Sequence, residues 1–330
     1  MSLLSLSRRT ALWLVSSAVA VPSLPTFAFA GKLPTIAFYG PPAGPSVTLA
    51  HAVASGAFSE IAETATMTAW RNPDELRAGL TSGSIGLSVV PVQAAVNLYN
   101  RGFPIKLANI MTNGLLYIIS PDSRIADIED LKGKSIAVPF KGDTPEIIFG
   151  QLLRHHSLDA VSDLSIIYAA SPVEAMQLLL SGRVEAALTA EPSTTAGVLK
   201  SKKAGTPATR VINIQDAWGE MTGAAPVLPQ AGLAVTGPFL EAHGDVLPDI
   251  LAALSTATEQ VLADPKAAAA AATEALGMPA PLLTASVPSC NLCARPAVEA
   301  RADIERMLAA MAGPEMKKIG GKLPDDAFYL

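Results

Sequence analysis

The chain has 330 residues, a formal net charge of −5 and no block of basic residues. Half of its residues are apolar and 16% are charged, which is the composition of a globular protein of about two domains. The acidic balance argues against nucleic acid as a partner, and the lack of a short internal repeat excludes a solenoid.

The first 30 residues have the pattern of an export signal. Arg8 and Arg9 precede an apolar stretch, and the small residues Ala28 and Ala30 form a cleavage pattern. We therefore expect a signal peptide cleaved after Ala30 and a periplasmic location. The stretch also resembles a bacterial twin-arginine signal, although Ala11 stands where phenylalanine is usual; an ordinary secretory signal is the alternative. No later apolar run reaches the ~18 residues of a membrane span, so we expect no membrane insertion of the mature chain.

A helix-then-strand unit occurs twice in the chain. One copy starts at Asn72 and the other at Ser171, and each of these capping residues is followed by proline. A glycine, Gly83 or Gly182, then ends the helix before a short apolar strand. The shared order of cap, proline, glycine and strand predicts the same local structure in both places.

A second unit also occurs twice, from Thr35 and from Ser135. Each copy reads as a strand, a loop rich in glycine or proline, and a helix that begins near Pro45 or Pro145. Strands that alternate with helices favour parallel sheets covered by helices, and ligands of such sheets bind outside the carboxyl ends of the strands. The two repeats predict two α/β lobes of similar build whose loops face one cleft.

Two segments are candidates for the crossings between the lobes. The β-rich run 109–123 leads from the first lobe to the second, and the run 227–236 leads back. We expect lobe one to comprise 31–113 and 232–330, and lobe two to comprise 114–231. The helical C-terminal part would then pack on lobe one.

The segment 127–153 resembles a known family. Its Asp-Leu-Lys-Gly-Lys phrase at 130–134 is similar to one that opens the second lobe in substrate-binding proteins of bacterial ABC importers of the nitrate, sulfonate and taurine type. The segment 181–192 resembles the family's small-Gly-x-x-Asp-Ala…Glu-Pro stretch, although Glu185 stands where aspartate is usual. A further likeness at 233–254 extends the resemblance over nearly the whole mature chain.

The resemblance implies a type II periplasmic-binding-protein fold, in which two similar lobes with central mixed sheets are joined by two crossing segments. It also implies a monomeric extracytoplasmic receptor that captures a small anionic or zwitterionic solute. Permease and ATPase subunits of an ABC importer would be its partners, without enzyme activity or a cofactor. The alternatives are a periplasmic redox or metal-handling protein, and an enzyme related to pyrimidine synthases whose cysteine-rich motif has no match here.

The loop 141–144 is the candidate ligand loop of lobe two. It precedes Pro145 at a predicted helix start, and a helix N-terminus offers free amides and a partial positive charge to an anion. Lys141 would add a cation and Thr144 a hydroxyl, whereas Asp143 would repel an anion. In the alternative interpretation, Thr144 only caps the helix and Lys141 points to water.

The loop that begins at Tyr39 is the matching candidate in lobe one. Its glycines allow close approach of the backbone, and its prolines limit the entropy lost on ordering. For Trp70 a core position is the alternative to a ligand contact, and for Glu191 the alternative is a bond to the backbone near the hinge. The predicted ligand contacts are Tyr39, Gly40, Ser46, Trp70, Pro91, Gln93, Thr112, Asn113, Lys141, Gly142, Asp143, Thr144, Glu191 and Gln230.

A C-x-x-C pair, Cys290 and Cys293, lies just before the last predicted helix. In an oxidising compartment this spacing favours a disulfide between the two thiols. A thiol-redox role or a soft-metal site such as copper is the alternative. The histidines show no metal-ligand spacing and no catalytic motif occurs, so we expect no metal site and no catalytic residue.

Overall fold

Two β-sheets form the centre of the protein. The structure, a computed structural model, describes residues 32–330, so the predicted signal peptide and its cleavage site lie outside the described residues. The strands, in chain order, are β1 (Leu33–Gly40), β2 (Ala62–Ala69), β3 (Leu87–Pro91), β4 (Ile105–Leu107), β5 (Asn109–Thr112), β6 (Leu116–Ser120), β7 (Ser135–Pro139), β8 (Ser165–Ala169), β9 (Ala186–Ala190), β10 (Thr209–Asn213), β11 (Ala231–Thr236) and β12 (Leu292–Pro296).

The α-helices alternate with these strands and then form a C-terminal group. In chain order they are α1 (Gly44–Ala54), α2 (Pro73–Ser82), α3 (Val92–Asn100), α4 (Thr144–His155), α5 (Pro172–Leu180), α6 (Ser193–Lys203), α7 (Ile214–Thr222), α8 (Gly237–His243), α9 (Leu247–Ala263), α10 (Pro265–Leu276), α11 (Ala280–Ser286) and α12 (Ala297–Ala312). Helices α9 and α10 pack on α1, beside the first sheet. Within 32–330 no helix has both the length and the apolar character to cross a bilayer.

Five strands of the first sheet have the same arrangement as the five strands of the second. The first sheet runs β12-β5-β11-β3-β1-β2, with β4 also paired to β11, and the second runs β10-β6-β9-β7-β8. In the first, β1 pairs in parallel with β2 and β3, while β11 is antiparallel to β3. In the second, β7 pairs in parallel with β8 and β9, while β6 is antiparallel to β9. The predicted repeat of one α/β unit is therefore confirmed.

Apolar runs rather than alternating patterns form the central strands. Every residue of β6 (LYIIS) and of β11 (AGLAVT) is buried. Such strands have a neighbour on each side and cover on each face, which favours continuous apolar sequence. The sequence of each central strand thus reflects its place in the middle of a sheet.

The predicted caps form as expected. The side chain of Asn72 accepts hydrogen bonds from the amides of the first turn of α2, and Ser171 does the same for α5. Gly83 and Gly182 follow the two helices with φ values of 76° and 70°, a region in which glycine is not strained. Local sequence therefore fixes the bounds of both helices.

The chain passes between the sheets twice, at β5–β6 and at β10–β11. The two crossings touch closely, because a Cβ atom at Gly232 would lie 1.8 Å from the backbone oxygen of Asn109. Asn109 Oδ1 also accepts a hydrogen bond from the amide of Leu233 at 3.0 Å. The strands of the first sheet lie within 33–112 and 231–296 and those of the second within 116–213; the predicted lobe boundaries agree with this division but stay a prediction.

Gly83 and Gly150 offer a matched test of the helix assignments. At Gly83 nothing lies within 4 Å of an added Cβ, so only the left-handed backbone opposes alanine, and we expect Gly83→Ala to lower the free energy of unfolding by about 1 kcal/mol. Gly150 lies inside α4, where only Arg154 Nη1 comes within 4 Å, at 3.9 Å. There alanine should raise the free energy of unfolding by about 0.5–1 kcal/mol. Urea unfolding that gives both variants the same sign would contradict the assignment.

Candidate functional site

A cavity of about 270 Å³ lies between the loops of the two sheets. The loops after β1, β2 and β3 line it from the first sheet, and those after β7, β8 and β9 line it from the second. The antiparallel strands β11 and β6 begin at the cavity, with Ala231 and Leu116 in its wall. The cavity therefore lies at the carboxyl ends of the parallel strands, where ligands of such sheets bind.

Proline is the most frequent residue in the cavity wall. A proline has no backbone N–H and fixes its own φ angle, so such a wall is stiff and offers few hydrogen-bond donors. Four of these prolines lie in the first turn of α1, α2, α4 or α5. The seven are Pro41, Pro42, Pro45, Pro73, Pro91, Pro145 and Pro172.

Side chains of the protein already cap most of the helix N-termini that face the cavity. Asn72 Oδ1 accepts hydrogen bonds from the amides of Asp74 and Glu75, at 3.1 and 3.0 Å. Ser171 Oγ accepts one from the amide of Glu174 at 3.1 Å. Six helices begin at the wall within the described chain: α2, α4 and α5 have a side-chain cap, and the Glu191 carboxylate accepts an amide of α6. Helices α1 and α3 have no side-chain cap, so a ligand would find free amides mainly there.

A glutamate carboxylate stands beside the start of four of these helices. Each accepts a hydrogen bond from a backbone amide in or just before the first turn, and its charge offsets the partial positive charge of the helix end. The four are Glu75, Glu146, Glu174 and Glu191.

Glu191 forms a buried ion pair at the second-sheet side of the cavity. Its carboxylate is fully buried and accepts a hydrogen bond from Arg210 Nε at 3.0 Å. Thr195 donates its amide and its hydroxyl to the same carboxylate, at 3.1 and 2.7 Å. Burial raises the pKa of Glu191, and the charge of Arg210 opposes that shift. Glu191 lines the cavity with its charge already balanced, and it does bond the backbone, here at the start of α6.

Asp143, not Thr144, caps α4. Thr144 is the first helical residue, and Asp143 Oδ1 accepts its amide at 3.1 Å. The interpretation of Thr144 as the cap is therefore wrong, because the helix begins one residue earlier than that requires. The Thr144 hydroxyl is buried without a hydrogen-bond partner, and the residue lines the cavity.

Asp143 brings an uncompensated carboxylate to the cavity. Burial raises its pKa, and the bond from Thr144 and the more distant charge of Arg77 only partly oppose this effect. Arg77 pairs with Asp74 at 2.9 Å, and Lys141 Nζ lies 4.6 Å from the centre of the Tyr168 ring. No cation in the described part of the chain pairs with Asp143.

Two aromatic side chains complete the wall. Trp70 is 6% exposed, and its indole Nε1 donates to Ser88 Oγ at 3.2 Å, which fixes the ring. Phe140 follows β7 with a φ of 55° and also lines the cavity. Trp70 is therefore a core residue that also lines the cavity, and its contact with a ligand stays a prediction.

The predicted contact residues are distributed over three cavities, and four of them line none of these. Trp70, Pro91, Asp143, Thr144, Glu191 and Gln230 line the main cavity. A neighbouring cavity of about 220 Å³ is lined by Gln93, Lys141 and Gly142, and another, of about 360 Å³, by Tyr39. Whether any of them binds a ligand stays a prediction. The residues that line none of these cavities are Gly40, Ser46, Thr112 and Asn113.

The residues that line none of the cavities have structural contacts instead. Thr112 Oγ1 donates a hydrogen bond to the backbone carbonyl of Cys290 at 2.7 Å. The backbone amide of Asn113 donates one to the backbone carbonyl of Asn291. Ser46 is fully buried beside Gly40. These contacts hold the start of α1 and the first crossing in place.

Sequence reasoning missed several wall residues and the partner of Glu191. The prolines at the helix starts were a visible signal, but they were interpreted only as helix starts. Arg210 had no signal, because it meets Glu191 only after β9 and β10 enter the same sheet. Phe140 was hidden within the predicted strand-to-helix loop. Met278, from the turn after α10, also lines the cavity.

The predicted disulfide is not present. Cys290 and Cys293 are free thiols, and their sulfurs lie 3.2 Å from the carbonyl oxygen of Ser286 and 3.5 Å from that of Ile110. The two side chains therefore have separate backbone partners. Burial raises the pKa of both thiols, that of Cys293 to about 11.

A family model described as NMT1/THI5 like matches residues 71–268, more than half of the chain. The matched region holds most of the cavity wall but excludes β1 and the cysteine pair. No curated protein sequence matches the chain.

Several solved structures have a similar fold. An ABC transporter from Parabacteroides distasonis is 22% identical, has a TM-score of 0.70, and the match covers 91% of this chain and 99% of that one. The periplasmic aliphatic sulphonate binding protein from Escherichia coli is 16% identical and has a TM-score of 0.65, and the match covers 86% of this chain and 96% of that one. The periplasmic nitrate-binding protein from Synechocystis is 12% identical and has a TM-score of 0.61, and the match covers 76% of this chain and 69% of that one. These likenesses confirm the predicted type II periplasmic-binding-protein fold.

Asp143→Asn should stabilise the unliganded protein at neutral pH. Burial raises the pKa of Asp143 above its ordinary value of 3.8, so its favourable contribution is complete below that pH and is lost as the pH rises through the folded-state pKa. Asparagine keeps a capping oxygen and carries no charge. Urea unfolding should show a gain over the wild type that shrinks towards pH 4, while Asp216→Asn, at an exposed position, gives none. A gain independent of pH would contradict this account.

Arg210→Met should destabilise the protein by about 3–5 kcal/mol, because it leaves the buried charge of Glu191 unpaired. The double variant Glu191→Gln/Arg210→Met should lose clearly less, since no charge remains buried. Arg77→Met breaks an exposed pair and serves as the control, with an expected loss below about 1 kcal/mol. Equal losses in the single and the double variant, measured by urea unfolding, would show that the ion pair is not the cause.

Proposed function

This chain belongs to the NMT1/THI5-like family, and from that premise we propose that it is the extracytoplasmic solute-binding component of an ABC importer. The observation that carries the proposal is the cavity between the carboxyl-end loops of the two sheets. Because the wall comes from both sheets, a solute inside it touches both lobes at once. Its binding then favours the closed arrangement of the lobes, which a membrane partner can distinguish from the empty one.

The named relatives support a small molecule as the ligand. One is an aliphatic sulphonate binding protein and another is a nitrate-binding protein. The volume of the cavity, about 270 Å³, suits a compact solute and is too small for a folded macromolecular segment. The expectation of an anionic or zwitterionic solute does not enter the proposal, because the cations beside this wall have partners of their own.

A receptor of this kind acts with membrane partners and outside the cytoplasm. We propose that permease and ATPase subunits of the importer recognise the solute-bound protein, and that the segment before Gly31 directs export to the periplasm. The chain contributes binding and presentation, and no chemical step is assigned to it.

The cysteine pair gives no support to a redox or metal-handling function. A reactive thiol needs an exposed position and a lowered pKa, whereas Cys290 is fully buried and burial raises the pKa of both thiols. Within 32–330 no group of three or more histidine, cysteine or carboxylate residues could hold a metal ion. The receptor is the only function that we propose.

Ala43→Trp should abolish solute binding. Ala43 lines the cavity in the loop before α1, so a tryptophan there fills part of the space. A thermal-shift screen of organic acids, amines, alcohols and inorganic anions should find at least one stabilising solute for the wild type and none for this variant.

Ala57→Trp, at an exposed position outside the wall, is the matched control and should keep the thermal shift. Equal shifts in both variants would place the binding site elsewhere. A screen without any stabilising solute would count against the receptor function.

A further inference from the structure

We propose that the solute is a compact, mainly apolar molecule that carries one positively charged hydrogen-bond donor, such as a protonated amine, and that Asp143 accepts this donor. The inference rests on the proposed receptor function and names its substrate class. It follows from the charges, donors and apolar surfaces of the cavity wall.

The wall has little to offer an anion. Anion sites at helix N-termini depend on free amides and on an unopposed partial positive charge. Here prolines remove amides from the first turns of four helices, and side chains accept amides at four of the six helix starts, leaving α1 and α3 without a cap. A glutamate stands beside each of those capped starts. An anion would thus meet a carboxylate beside most of the helix starts, and few free donors to offset that charge.

One carboxylate in the cavity wall has no ion-pair partner. Only Arg71, Asp143 and Glu191 are charged among the lining residues. The side chain of Arg71 is 85% exposed and pairs with Glu75 at 3.2 Å, and Glu191 pairs with Arg210. Asp143 remains without a cation, and a bound cation would remove this imbalance.

The other surfaces suit the apolar part of such a solute. Trp70 and Phe140 line the cavity with the prolines, and aromatic faces attract cations as well as apolar groups. The unpartnered hydroxyl of Thr144, beside Asp143, is a second acceptor for a donor group. An ammonium group, with three N–H donors, matches a carboxylate and a neighbouring hydroxyl.

The test uses four probes with one ring and different head groups. These are benzylammonium, benzyl alcohol, phenylacetate and phenylmethanesulfonate, and their dissociation constants are measured by calorimetry at neutral pH for the full chain. We expect benzylammonium to bind about tenfold or more tightly than the alcohol, and both anions to bind more weakly still.

Asp143→Asn keeps the helix cap and should remove the preference for the cation. Asp143→Ser, which also keeps a capping oxygen, provides a second variant if the first folds poorly. Asp216→Asn removes an exposed carboxylate outside the wall and should leave all four constants unchanged. Circular dichroism verifies that each variant is folded.

The outcomes separate the two proposals. Binding of either anion as tightly as the cation, or a cation preference that survives both Asp143 variants, overturns the substrate class and leaves the receptor function standing. So does failure of all four probes when the thermal-shift screen finds another solute. Failure of the probes together with an empty screen counts against the receptor function itself.

Discussion

The contact between the two crossing segments is the constraint on which the rest of the structure depends. With no side chain at Gly232, the backbone of β11 can pass directly beside Asn109 of β5, and the Asn109 amide group then binds the neighbouring strand. The chain leaves the first sheet and returns to it at this one place. The loops of the two sheets therefore meet around the main cavity, and the character of that cavity follows from which residues begin the surrounding helices.

Those helix starts show that one fold can present different chemistry at the same position. The N-terminus of a helix is by itself a site for anions. In this protein four of these ends have a side-chain partner and a neighbouring glutamate, which offset the positive charge of those helix ends. The fold fixes where a solute lies, and the residues at the first turns decide what kind of solute is tolerated.

Much of the fold could be predicted from the sequence, because it depends on local rules. The caps at Asn72 and Ser171, the glycines after their helices, and the strand-loop-helix units are all encoded within a few residues. The position of the cavity followed from the general behaviour of parallel strands. The family resemblance rested on longer phrases of the same region, and a family model matches that region.

The character of the site could not be predicted, because it depends on partners far apart in sequence. Lys141 and Asp143 are neighbours in one loop, yet the first lies over a tyrosine ring and only the second reaches the main cavity. Tyr39 lines a different cavity, since successive side chains of a strand point to opposite faces. The disulfide expected from the spacing is absent, because the spacing alone does not fix where each thiol points once the chain has folded.

The seven prolines of the wall have a consequence for selectivity. Pyrrolidine rings have almost no freedom to rearrange, so the part of this binding surface that each lobe contributes keeps its contour whether or not a solute is bound. A solute that fits binds more tightly, because little entropy is lost in ordering the binding site. A solute of a different shape binds poorly, because the rigid wall cannot rearrange around it. The protein would then distinguish close chemical analogues mainly by steric exclusion. Widening the range of solutes that it binds would require replacing wall prolines before adding new polar groups.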